Sequence, residues 1–164
     1  MYLIKLYILK IYKMETAILA TLSGLSITTN ITQKLLSNSI QTSLDILKLF
    51  ITSHHEQVNE VLLETDLISN LEIIEALMGD IEKNKEMQEH LAMQKALTNL
   101  HLIVEQIQKI LEDINQKIKY HHTKYFSSWR TLKYEKQLAN LKKSIKLLNI
   151  RYQMFLEVIK VIKS

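Results

Sequence analysis

Cysteine and proline are absent from these 164 residues, and glycine occurs only at Gly24 and Gly79. Without cysteine there are no disulfides, thiolate nucleophiles or cysteine-built zinc sites, which fits a reducing compartment. The shortage of glycine and proline leaves little material for the tight turns and phosphate loops of β-sandwiches, barrels or Rossmann units. Aromatic residues are sparse, with one tryptophan. The sequences G-x-x-x-x-G-K, G-x-S-x-G, H-E-x-x-H and G-x-G-x-x-G do not occur, so no ready-made catalytic or nucleotide-binding signature is available.

What remains is 47% hydrophobic and 23% charged, enough apolar surface for one domain-sized core. The net charge of +4 hides a strong segregation. Residues 1–53 carry +3, residues 54–90 carry −8 and residues 91–164 carry +9. An acidic stretch followed by a basic one predicts complementary neighbouring helices.

Lys5, Lys10 and Lys13 interrupt the apolar opening MYLIKLYILKIYK, leaving no run close to the ~18 residues of a spanning helix. A lysine in the middle also argues against a cleaved signal. Residues 1–13 read as an amphipathic extension, and Met14 offers a second start. The remainder, 14–164, reads as one all-α domain: an up-down bundle of four to five long antiparallel helices, roughly 15–28, 31–53, 56–83, 87–120 and 129–162. Thr29 or Asn30 is placed to cap the second of these, whose expected inward face is Leu35, Leu36, Ile40, Leu44, Leu47, Phe50 and Ile51. In the third, Val58, Val61, Leu62, Ile68, Leu71, Ile74, Met78 and Ile81 are expected inward, with an interruption near Thr65–Asp66 and an end at Gly79–Asp80.

The clearest periodicity comes last. Met93, Leu97, Leu100, Val104, Ile107, Leu111, Ile114 and Ile118 form one row of alternating four- and three-residue steps. Tyr134, Leu138, Leu141, Ile145, Leu148, Tyr152, Phe155, Ile159 and Ile162 form another. Such heptad-like seams hold antiparallel neighbours together along their length. Additional apolar flanks at Leu102, Ile103, Ile110, Leu147, Ile150, Val158 and Val161 exceed what a two-stranded coiled coil needs and favour a bundle.

Chemistry-bearing residues are few. His54–His55 and His121–His122 both stand at expected helix boundaries, yet adjacent helical residues point about 100° apart, so no metal site is expected. Glu86, Glu89 and His90 lack the Glu-x-x-His spacing of a di-iron bundle. Asn30-Ile31-Thr32 matches a glycosylation acceptor by chance-level similarity, and Tyr125, Phe126 and Trp129 suit stapling of a helix entrance better than base stacking. No catalytic residue and no cofactor is expected, and the chain does not read as an enzyme.

Arg130, Lys133, Lys136, Lys142, Lys143, Lys146, Arg151, Lys160 and Lys163 dominate the last helix. Three uses compete for this charge: pairing with the acidic 54–90 segment, binding an anionic lipid surface, or binding nucleic acid. No recognition motif favours nucleic acid, and nothing points to a small-molecule substrate.

The segments METAILATLSGLSITTNITQKLL, KALTNLHLIVEQIQKILEDINQKIKY and YFSSWRTLKYEKQLANLKKSIKLLNIRYQMFLEVI together resemble the N-terminal four-helix domain of mixed-lineage kinase domain-like pseudokinases and related HeLo-type cell-death domains. The resemblance spans residues 14 to about 160 as a pattern of helices and charge. It implies a non-catalytic signalling module, cytoplasmic and peripheral to membranes when active, that oligomerises and engages anionic lipids. Arg130, Lys133, Lys136, Lys142, Lys143 and Lys146 are the lipid-binding candidates it implies. Two departures stand out: residues 1–13 have no counterpart, and Ser164 falls where the family continues into a brace and an effector domain. The alternative expectation is a structural or adaptor subunit with a helical protein partner or self-association.

Overall fold

A computed structural model describes residues 29–53, 56–122 and 134–164, with the side chains of Thr29, Lys85, Glu86 and His122 left aside. The expected 1–13 extension and 15–28 helix, His54–His55, the aromatic connection at Tyr125–Trp129, Arg130 and Lys133 lie outside the described residues. The fold of the described residues is all-helical: α1 (Thr29–Thr52), α2 (Glu56–Thr65), α3 (Leu67–Glu82), α4 (Lys85–Glu89), α5 (Leu91–His122) and α6 (Glu135–Lys163).

One continuous apolar core joins these helices. In α1, Leu36, Ile40, Leu44, Leu47 and Phe50 point inward at steps of four and three. Leu35 and Ile51, expected on the same face, are exposed, because each sits about 100° around the helix from a buried neighbour, Leu36 or Phe50. Ile46 is buried in addition to the expected set.

The acidic segment divides at Asp66, the only non-glycine residue with positive φ among those described (φ 47°). Aspartate tolerates this left-handed region better than most side chains, and Asp66 Oδ1 accepts a 2.7 Å hydrogen bond from the Ser69 hydroxyl. The break rotates α3 so that Leu67 is fully buried while Ile68, expected inward, is only half-buried. Gly79 does not end α3. The helix continues to Glu82, where the Gln88 side-chain amide donates to the Ile81 carbonyl (3.2 Å) and the Glu82 carbonyl (2.6 Å). These bonds occupy carbonyls that a helix end leaves without intrahelical donors.

Instead of a single helix over 87–120, the chain makes a short α4, interrupts it at an extended His90 (ψ 120°), and restarts at Leu91. Asn84 caps α4, its side-chain oxygen accepting from the Met87 backbone N–H at 3.1 Å. Helix α5 then runs for 32 residues, about 48 Å. His121 and His122 belong to its last turn rather than to a loop.

Packing is organised around α5, which lies against both α1 and α6; α3 packs on α1, and α2 on α6. Three hydrogen bonds define the direction of α6 relative to α5. The Arg151 Nη1 donates to the Asn99 carbonyl (2.8 Å), Gln106 Nε2 to Ser144 Oγ (3.1 Å), and Gln137 Nε2 to Asp113 Oδ2 (2.9 Å). Residue numbers rise on one helix as they fall on the other, so the pair is antiparallel.

Met93, Leu97, Leu100, Val104, Ile107, Leu111 and Ile114 are fully buried and Ile118 nearly so. On the facing side Tyr134, Leu138, Leu141, Ile145, Leu148 and Phe155 are buried, whereas Tyr152, Ile159 and Ile162 are half-buried. Of the flanking residues, Ile103 is buried, but Ile150 and Val161 are exposed. The C-terminal part of α6 therefore retains apolar surface that the heptad reading assigned to the core.

Candidate interaction face

Helix α6 turns its seam inward, which dictates what faces outward. Lys136, Lys143 and Lys146 are exposed and separated by seven and three residues, so they share one outer stripe. Lys142, one position before Lys143 and one turn before Lys146, borders this stripe, and its Nζ pairs with Glu64 Oε2 of α2 at 2.5 Å. This ion pair is partly exposed and contributes little net stability, about 0–1 kcal/mol, but it marks which face of α6 meets the acidic segment. Thus three of the six basic candidates are brought together outside, one is turned to α2, and Arg130 and Lys133 are not described.

The stripe changes character along the helix. Beyond Lys146 it continues through Ile150, Met154 and Val161, respectively 58%, 59% and 71% exposed. A groove of about 220 Å³ beside it is lined by Ala92, Lys95, Ala96, Asn99, Arg151, Met154 and Val158. Farther along, Lys160 is ion-paired with Glu157 at 2.6 Å.

Two polar features escaped the reading of the sequence. Between α1 and α5, His101 lies half-buried beside Asn38, Ser39 and Thr42 of α1. Its Nδ1 is enclosed without a hydrogen-bond partner, and burial pushes the imidazole below its usual pKa of 6.5. Glu105 opposes that shift and Lys109 reinforces it.

Between α1 and α3, near α4, a cleft of about 610 Å³ is lined by residues including Gln33, Lys34, Ser37, Glu75, Gly79 and Glu82. Gln33 is only 7% exposed, yet its Nε2 has no acceptor. Leaving such a buried donor unmatched costs about 1–3 kcal/mol. Contacts across some forty to sixty residues of chain create these features, and no local spacing announces them. Among the described residues no three His, Cys, Asp or Glu side chains are grouped to hold a metal ion, and no helix is long and apolar enough to cross a membrane.

No protein-family model matches the chain, and no solved structure matches it. Over 66 residues it is 35% identical to an uncharacterized protein, L717, of Acanthamoeba polyphaga mimivirus. The match covers 40% of this chain and 32% of that protein, so the chain spans about a third of the relative's length.

Proposed function

We propose that the chain is a non-catalytic signalling module built as an up-down bundle of four to five long helices, similar to HeLo-type N-terminal domains, that engages anionic membranes through the outer face of α6. In this reading it resides in the cytoplasm, becomes peripheral to a membrane on activation, and oligomerises in cell-death or immune-type signalling. The observation carrying it is the exposed stripe of Lys136, Lys143 and Lys146, which faces away from the seam and has the Lys142–Glu64 pair at its edge. Each base near an anionic bilayer contributes roughly 1 kcal/mol, so a stripe of this size supports salt-sensitive peripheral binding.

Co-sedimentation with phosphatidylserine-containing and neutral vesicles tests this proposal. The expected result is binding to the anionic vesicles alone, reversed by raising the salt. Equal binding to both, or to neither, would contradict it.

The exposed Ile150, Met154 and Val161 favour a second reading, a structural or adaptor subunit that pairs with another helix and has no membrane activity. Concentration-dependent sedimentation in the absence of lipid, abolished by Met154→Glu, is its expected signature.

A further inference from the structure

Outside their buried seam, α5 and α6 form a second, shallower junction. Ala92 and Ala96, one turn apart on α5, and Met154 and Val158, one turn apart on α6, give its groove of about 220 Å³ aliphatic walls. The two alanines are small enough for another backbone to approach closely, and Lys95 and Arg151 give the lining two positive charges against no negative one. The antiparallel course of α6 and the bond from Arg151 to the Asn99 carbonyl put Val158 level with Ala92, at the end of the bundle where α5 begins. Helix α1 begins at the same end, since Asn30 and Lys34 share a cleft with Glu82 and Gln88, which just precede α5. The 28 residues before Thr29 therefore join the described bundle close to this groove. From Thr16 to Thr28 they carry no charge, and Met14, Ile18 and Leu22 recur every four residues, the spacing of one helix face.

We propose that residues 14–23 of this same chain dock as a helix in the groove, with Ile18 and Leu22 against Met154, Val158 and the two alanines. Such a helix is about 15 Å long, and the groove from Ala92 to Asn99 extends about 10 Å, so the two match in length. Gly24 permits a break, and the five residues from Gly24 to Thr28 reach at most about 17 Å when extended, enough to pass one helix diameter of about 10–12 Å on the way to α1. The connection sets the direction: residue 23 lies nearer Thr29 than residue 14 does, so the segment runs antiparallel to α5 and brings Glu15, its one charged side chain, toward Arg151. A lone carboxylate against Lys95 and Arg151 is a complementary pairing, whereas a second copy using this same face would bring like charges together. The occupant comes from within the chain rather than from the helical partner of the adaptor reading, and it leaves Lys136, Lys143 and Lys146 uncovered, so the inference is independent of membrane binding by α6.

The absence of cysteine makes introduced thiols clean reporters in the full chain, without lipid. At micromolar protein, Leu22→Cys combined with Val158→Cys is expected to be joined by a short bismaleimide into a looped monomer of altered electrophoretic mobility. Leu22→Cys combined with Leu63→Cys, at an exposed position on α2, is expected not to be joined. As a single variant, Leu22→Cys should react with a maleimide at least about tenfold more slowly than the single variant Leu63→Cys, because labelling waits on local opening. Adding Met154→Glu should remove that protection while helicity is retained, since Met154 is 59% exposed. Equal joining to both partner sites, equal labelling rates in the two single variants, or protection that survives Met154→Glu would overturn the inference. Joined dimers in place of the looped monomer would also overturn it, and would make a second copy the occupant of the groove.

Discussion

Individual side chains carry costs that stability measurements can read. Gly79 stands inside α3 with open space where a Cβ would project, so its flexibility is not required by close packing. Gly79→Ala is expected to stabilise the protein by about 0.5–1 kcal/mol through helix propensity and a less disordered unfolded chain, seen as a higher urea midpoint at unchanged slope. A lower midpoint would mean that the glycine has a conformational role the helix geometry does not display. His101 gives a pH signature of known sign. Its folded pKa is depressed by burial, so the unfolded chain takes up a proton that the folded one resists, and stability is lost as pH falls below the unfolded value of about 6.5. Relative to His101→Gln, the wild type should therefore lose stability as the pH falls through about 6.5. Parallel pH curves for the two proteins would refute this assignment.

At the scale of the element, the seam between α5 and α6 bears most of what the sequence made legible. Four- and three-residue steps identify the inward face of α5 almost residue by residue, because a long straight helix repeats its geometry without local correction. The same reasoning lost accuracy where, among the described residues, no neighbouring helix covers the outer face. Ile150 and Val161 satisfy an apolar pattern but remain exposed because burial depends on a facing surface, which periodicity does not report. The interruption at His90 was likewise illegible: Met87-Gln-Glu-His90 contains no glycine or proline, and the break rests on the Asn84 cap and on Gln88 reaching back to α3. Leu141→Ala or Leu148→Ala, each at a fully buried seam position, should cost about 2–5 kcal/mol in chemical denaturation. Ile150→Ala, by contrast, should shift stability by less than about 0.5 kcal/mol. Comparable losses at all three sites would contradict the division between seam and outer face.

Across the whole molecule, charge segregation predicted that acidic and basic segments would meet, and Lys142 with Glu64 is such a meeting between residues 78 apart. Which lysines would be committed inward and which left outside was not legible, since that depends on the rotation of α6 fixed by Leu141, Ile145 and Leu148. The cleft of Gln33, Glu75 and Glu82 was hidden for the same reason: its members acquire meaning only when α1 and α3 pack. The architecture thus separates an inward seam, an outer face that passes from basic to apolar, and a polar cleft on other helices. Its central functional claim concerns the basic outer face and is tested most directly by comparing two triple charge reversals in the vesicle assay. Lys136→Glu, Lys143→Glu and Lys146→Glu alter the α6 stripe; Lys34→Glu, Lys48→Glu and Lys119→Glu make the same change in net charge at exposed positions on α1 and α5. With helicity intact in both proteins, loss of anionic-vesicle binding in the first and its retention in the second is the predicted result. Equal loss in both, or retained binding by the α6 variant, would contradict the assignment of this face.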